Sequence, residues 1–314
     1  MTGFTASSSS PVRAVLMLLV CMFAWGSVFP VAKHVLLDMN ALSLAFWRFA
    51  IASVSLLLYM LWLGQALPTL SARRLAIACT VSIIGAGGLN LGLFTGLQLT
   101  AAANGALIMS LSPVMTALMA SLVARKLPGA ALSFSIVCGL LGVSIVITNG
   151  DFDHLLAMNL NRGDLYIFCG MLAWSFYTLA SQYVSRWLPL VPFTMLSMIA
   201  GALTMGIACL VTAGVHPWNE LMQLNLPSQS AVLYIGLFAT VAGYLLWLNG
   251  VRTIGPARAA LFMNFVPVFA ALVAELMGQH LTLMQVLGIA VVLGGMLLPV
   301  LFKHAQKRIV QQQA

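Results

Sequence analysis

Two prolines stand at matching places in the chain, Pro113 and Pro267, each inside a long apolar run. Proline has no N–H to give a helix and its ring crowds the preceding turn, so each should free the carbonyl four residues back, on Met109 and Met263. In a membrane, unpaired backbone is tolerated only where protein buries it or where it lines a wet cavity. Paired breaks at corresponding positions of two halves therefore point to a site for a small molecule. That site is expected around Met109, Ser110 and Ser112 on one side and Met263, Asn264 and Phe265 on the other, with Pro113 and Pro267 as hinges. Further lining is expected from residues near the middle of other runs: Trp25, Ser27, Asn90, Thr95, Trp174, Ser175, Tyr177, Tyr244 and Trp247. Aromatic faces and Met sulfur suit an apolar or aromatic body, and can also hold an organic cation. Trp25 and Trp174 are expected to face each other across the cavity.

Two charged residues lie at membrane depth, where a charge is a functional hypothesis by default. Arg48 sits about seven residues into its run, roughly 10 Å deep at ~1.5 Å per residue. Glu275 lies near the end of another run, on the same side. Their expected role is an ion pair, as an outer gate or a clamp. Glu275 is the sole acidic candidate for coupling to protons, so a proton antiporter and an uncoupled facilitator both stay open.

Enzymatic chemistry finds no support. A metalloprotease needs HExxH, which the chain lacks, and His34, His154, His216, His280 and His304 all fall in loops or at run ends. The stretch Asp151-Phe152-Asp153-His154 reads as a solvated turn. The five cysteines lie in apolar runs without a CxxC, and read as small buried hydrophobes. No metal, cofactor or nucleic acid is implied.

The elements that must position these residues are helices in lipid. The chain is 61% hydrophobic and 6% charged, too few charges to coat a water-facing surface of this size. Its mean hydropathy is +1.03. A spanning helix needs about 20 mostly apolar residues. Apolar runs between polar or Pro/Gly breaks give ten spans: 12–33, 41–63, 74–97, 100–123, 130–148, 163–184, 191–213, 230–250, 256–277 and 283–302. Leu97 to Thr100 leaves little room for a turn between spans three and four. Residues 1–11 lack the charged start of a secretory signal, so span one is expected to be retained; 1–11 and 303–314 are expected to be flexible cytoplasmic termini.

Charge sets the orientation through the positive-inside rule. With both termini cytoplasmic, Arg13, Arg73, Arg74, Arg125, Lys126, Arg186, Arg252, Arg258, Lys303, Lys307 and Arg308 fall inside, and Lys33 and Arg162 outside. Asp38, Asp151, Asp153, Asp164 and Glu220 all fall outside. The net charge of +8 is thus mostly a topology signal.

The chain also repeats itself. At an offset of 154 residues, Gly96 matches Gly250, Ala106 matches Ala260, Met109 matches Met263, Pro113 matches Pro267 and Ala117 matches Ala271. Ala24-Trp25 matches Ala173-Trp174 at an offset of 149. Each unit, 12–148 and 163–302, holds five spans, and an odd count makes the second unit enter from the opposite face. Inverted repeats are a construction principle of secondary transporters, whose halves exchange inward-open and outward-open arrangements. Gly88-x3-Gly92-x3-Gly96 gives span three a small face for close packing, within one protomer or across a homodimer.

These residues carry a likeness. Ala24-Trp25-Gly26-Ser27, Arg48 within Phe46-Trp47-Arg48-Phe49, the segments Ala102 to Pro113 and Pro256 to Pro267, and Leu281-Thr282 to Gly295 together resemble the drug/metabolite transporter superfamily, in particular the ten-span bacterial EamA-type proteins. The family often carries Gly-Glu at the end of spans four and nine; Ala124-Arg125 and Gly278-Gln279 stand there instead. The resemblance implies an all-α fold of two inverted five-helix repeats in the bacterial cell inner membrane. It implies export of an amino acid, other metabolite or drug, as a monomer or homodimer.

Overall fold

The structure, a computed structural model, describes residues 11–64, 68–100, 102–151, 161–278 and 280–312. Among them there is no strand. The long helices are α1 (Pro11–Val35), α2 (Ala41–Trp62), α3 (Ala72–Leu97), α4 (Ala102–Ser110 continued as Ser112–Ala124) and α5 (Ala130–Thr148). They are followed by α6 (Arg162–Val184), α7 (Leu190–Val211), α8 (Leu226–Ile254), α9 (Pro256–Leu276) and α10 (Leu283–Gln312). A short helix, Pro217–Gln223, lies between α7 and α8.

Eight of these are long and apolar enough to cross a membrane: α1 to α5, α7, α8 and α9. The two others expected from the sequence differ for physical reasons. Helix α6 is 23 residues long but opens on Arg162 and Asp164 and carries further polar residues on its buried face. The apolar part of α10 is shorter, Leu283–Leu298. Beyond it the helix runs on to Gln312, past the expected end at 302 and through most of the expected tail.

Local chemistry sets the helix ends. The side chains of Asn40, Ser71 and Asn225 accept from the first free N–H groups of α2, α3 and α8. At α6, Asn161 and Asp164 form a reciprocal capping box. The tight turn after α3 closes with the N–H groups of Leu99 and Thr100 both donating to the Gly96 carbonyl, at 2.9 and 3.0 Å. Between α8 and α9 the whole reversal falls on Gly255, at φ +86°, where a side chain would be strained.

Four helices are irregular inside the bundle, and they come in pairs. Helix α3 widens into a π-helical segment at Ile83–Gly88, and α8 does so at Ile235–Ala242. Shifted by the 154-residue offset, the first segment falls within the second. Helix α4 breaks at Leu111, and α9 narrows to a 3₁₀ turn at Phe262–Asn264. Both breaks lie just before the matched prolines. The sequence expected the pair in α4 and α9; the pair in α3 and α8 it did not.

The small face of α3 packs within the chain. A Cβ on Gly92 would lie 2.5 Å from the Tyr166 carbonyl oxygen of α6, and one on Gly96 would lie 2.6 Å from that of Gly163. Gly92→Ala should therefore force α3 and α6 apart and lower stability by about 1–3 kcal/mol. Gly294→Ala, with nothing within 4 Å, should cost nothing. Thermal unfolding of the two variants in one detergent tests the contrast.

Candidate functional site

The centre of the bundle is an aromatic core. Trp25 of α1 and Trp174 of α6 meet edge to face with ring centroids 5.6 Å apart. Trp174 stacks on Trp247 of α8 at 5.4 Å and on Tyr177 at 5.5 Å, and Tyr177 stacks on Phe193 of α7 at 5.8 Å. Tyr244 touches Trp25 and Trp174, both at 5.9 Å. Trp174, Tyr177, Tyr244 and Trp247 are all buried. The expected cavity between Trp25 and Trp174 is thus closed by the rings themselves. Edge-to-face and offset aromatic pairs attract, and nothing in the described interior keeps them apart.

The irregular helices receive this core. A π turn leaves carbonyls without their usual partner, and the Trp25 indole Nε1 donates to one of them, Ala239 of α8, at 2.9 Å. Across the repeat, the Tyr177 ring lies against Gly85 in the π segment of α3, where a Cβ would come within 2.4 Å of the ring. The Tyr177 hydroxyl pairs with the Ser197 hydroxyl at 3.0 Å. Each half thus lays an aromatic of its first helix into the π segment of the other half's third helix.

Other expected lining residues are accounted for by the protein itself. Ser27 donates to the Ala24 carbonyl at 2.8 Å and pairs with the Tyr234 hydroxyl at 2.8 Å. The Asn90 amide donates back to the Ala86 carbonyl at 2.8 Å. Ser112 is buried, and its carbonyl accepts from the Ser175 hydroxyl at 3.4 Å. Met263 packs on the core, Asn264 is buried against Gly139 of α5, and Phe265 stacks on Phe262. The lining expected around α9 is therefore packed solid.

The space lies on the other half. A cavity of about 660 Å³ opens beside the break in α4. Leu107, Ile108, Ser110 and Leu111 of α4 form one wall, next to Met109. Leu140 and Ser144 of α5 form a second. Asn161, Asp164, Leu165 and Phe168 of α6 close it. Of the expected residues only Ser110 lines it. Asp164 is buried at its rim, accepting from the Thr100 hydroxyl at 2.7 Å and the Asn161 N–H at 2.9 Å. A second cavity, of about 380 Å³, includes Thr95 of α3 and Thr204 of α7 with the capping residues Gln98 and Thr212 just past the ends of those helices. The wall residues Ser144, Asn161 and Phe168 were missed because nothing in their local sequence separates cavity-facing from lipid-facing positions.

Arg48 and Glu275 do not pair. The Glu275 carboxylate accepts from the Leu281 N–H and faces the His280 Nδ1 at 3.4 Å, so it ties the α9–α10 turn. The Arg48 guanidinium lies over the Phe49 ring, 4.8 Å from its centroid. The expectation failed because Glu275 finds closer partners within six residues of chain. Of the two missing family acids, the Arg125 position ends α4 in a left-handed cap at φ 51°, and Gln279 lies outside the described residues. Cys169, expected to be buried, is exposed on α6.

A polytopic helical membrane protein, broken in pairs around an aromatic core and holding a cavity of metabolite size, is the class that this fold and site define. The EamA-like transporter family matches the chain twice, over residues 12–148 and 161–301. The uncharacterized transporter YyaM of Bacillus subtilis (strain 168) is 31% identical over 284 residues, 90% of this chain and 92% of the relative. The uncharacterized inner membrane transporter YedA of Escherichia coli (strain K12) is 28% identical over 315 residues, 93% of each chain. A solved crystal structure at 17% identity superposes with a TM-score of 0.77, covering 95% of this chain and 99% of the other. The chain belongs to the EamA-like transporter family, as its residues suggested.

The packing of the core is open to a direct check. Trp174→Ala removes the ring that touches four other aromatics and should cost about 3 kcal/mol or more. Trp174→Phe, which keeps a stacking face, should cost less than half of that. Urea or thermal unfolding in detergent measures both.

Proposed function

We propose that this protein is a secondary transporter that carries a small organic molecule across the bacterial cell inner membrane by alternating access. Its ten helices would form two inverted five-helix halves, 12–148 and 163–302, with both termini cytoplasmic. The direction is export, as the family resemblance implies. The carrying observation is the pairing of helix breaks: π segments in α3 and α8, and interruptions in α4 and α9, at repeat-related positions around one core. Discontinuous helices at matching places in two halves are how transporter folds build a substrate site at the membrane centre. The two matches of the family to the chain, and the concentration of basic residues on one side, support the halves and the orientation.

The halves differ in state. Beside α4 there is a cavity of about 660 Å³, within the size range of small-molecule sites. Beside α9 the equivalent region is packed, with α1 pressed onto it so closely that a Cβ on Gly26 would lie 2.7 Å from the Val266 carbonyl oxygen. The repeat-related contact in the first half carries a side chain: Ser175 replaces the glycine and reaches the Ser112 carbonyl. One seam is thus tight and the other looser, the difference that an alternating mechanism would reverse. Glu275, tied into its turn, is not the coupling group in this reading.

The test is release from proteoliposomes preloaded with a bacterial metabolite extract, followed by mass spectrometry. The expected result is that one chemical class leaves at least tenfold faster than from protein-free liposomes. Ser144→Trp, which fills the cavity, should abolish the difference, while Gly294→Ala should keep it. If no solute leaves faster than from empty liposomes, the reading falls.

A further inference from the structure

Arg48 is a half-buried cation that rests on the Phe49 ring and has no acid to pair with among the described residues. It sits in α2 at membrane depth, half-buried, and it forms no hydrogen bond or ion pair with any described residue. Its Nε is sealed from solvent and has no partner. Charged side chains within spanning helices are costly and mark substrate or ion pathways. The acids nearest in kind are all engaged elsewhere. Glu275 ties the α9–α10 turn, Asp164 caps α6, and Glu220 accepts from the N–H groups of Asn40 and His216.

The surroundings of Arg48 share its deficit. The Phe49 ring beneath the guanidinium lies 6.3 Å from the Tyr244 ring. The Tyr244 hydroxyl is buried with the Asn90 side chain in reach but no close hydrogen bond made, and the Trp247 Nε1 one turn on is buried without a partner. Three donors around one aromatic cluster, the Arg48 Nε, the Tyr244 hydroxyl and the Trp247 Nε1, therefore make no close hydrogen bond, and one of them carries a positive charge. A buried donor left unsatisfied costs about 1–3 kcal/mol, so a ligand that supplies acceptors is favoured twice, by charge and by hydrogen bonding. A guanidinium fork matches the two oxygens of a carboxylate.

We infer that Arg48, on the Phe49 and Tyr244 side of the aromatic core, is an anion-binding station of the transport path, separate from the cavity beside α4, and takes the carboxylate of a small organic acid whose body meets that core. This rests on the transporter reading, and it names the substrate class. On binding, the carboxylate neutralises the guanidinium, and the loaded site crosses the membrane without a net buried charge.

The experiment is a thermal-shift titration of the purified full-length protein in detergent with matched pairs of probes: acetate and acetamide, phenylacetate and phenylacetamide, indole-3-acetate and indole-3-acetamide. Chloride and inorganic phosphate are added as separate arms. The expected result is stabilisation by the aromatic carboxylates and not by their amides. Tyr244→Phe should weaken the apparent affinity about tenfold, Arg48→Lys should weaken it further, and Arg48→Met should abolish it. Equal shifts from acid and amide, or a shift that survives Arg48→Met, would overturn the anion site while leaving a small-molecule transporter standing. An Arg48-dependent shift as large with chloride or phosphate would overturn the assignment to organic acids. Absence of any carboxylate-dependent shift overturns the site outright, and the metabolite-release assay then decides the transporter reading separately.

Discussion

Backbone polar groups in lipid must find partners inside the protein, and the centre of this molecule is organised by that requirement. Regular helices meet it alone. The four irregular ones cannot, and two of the irregularities are served by a neighbour's donor: the Trp25 indole at the π turn of α8, and the Ser175 hydroxyl at the carbonyl of Ser112 just past the break in α4. The aromatic core follows from the same need. Large rings exclude water from the widened turns, and one of them brings its own donor. The irregularities and the core are therefore one feature seen from two sides. Such contacts can be exchanged without unfolding a helix, because only a turn of backbone changes partner.

Repeat-related positions carry different chemistry, and the difference gives the molecule its asymmetry. Gly26 and Ser175 correspond, yet the first lets α1 sink onto α9 while the second holds α6 off α4 by the length of a hydroxyl. Asn90 and Tyr244 also correspond; the first bonds its own helix and the second leaves its hydroxyl unmatched. Arg48 and Ser197 occupy like places in α2 and α7, but Ser197 is absorbed into hydrogen bonds with Ser82 and Tyr177 while Arg48 has none. Matched positions thus differ in which group is satisfied, and the larger space lies between α4 and α5 of one half and α6 of the other.

Much of this was legible in the sequence. Eight of the ten expected runs are helices long and apolar enough to cross a membrane, and the breaks before Pro113 and Pro267 follow from proline chemistry. Trp25 and Trp174 face each other as expected, but in contact rather than across a cavity. The family likeness rested on short motifs such as Ala24-Trp25-Gly26-Ser27. Three things were not. The π segments need an extra residue accommodated between neighbouring helices, which depends on packing; Gly85, Gly87 and Gly88 in one half were the nearest signal. The cavity lies between α4, α5 and α6 rather than between the tryptophans, because residues facing a cavity and residues facing lipid have the same composition here. The partner of Glu275 was a backbone N–H six residues on, which residue types do not encode.

The central claim is that the seam between α1 and α9 must open for the molecule to work. Phe23 and Phe269 face each other across it, with ring centroids 5.7 Å apart. In a cysteine-free background, Phe23→Cys with Phe269→Cys can be bridged through two disulfides by a short bis-methanethiosulfonate, and flux of the identified substrate measured before bridging, after it and after reduction of the disulfides. The account predicts that bridging stops flux and reduction restores it. Flux that continues unchanged through a bridged seam would contradict it.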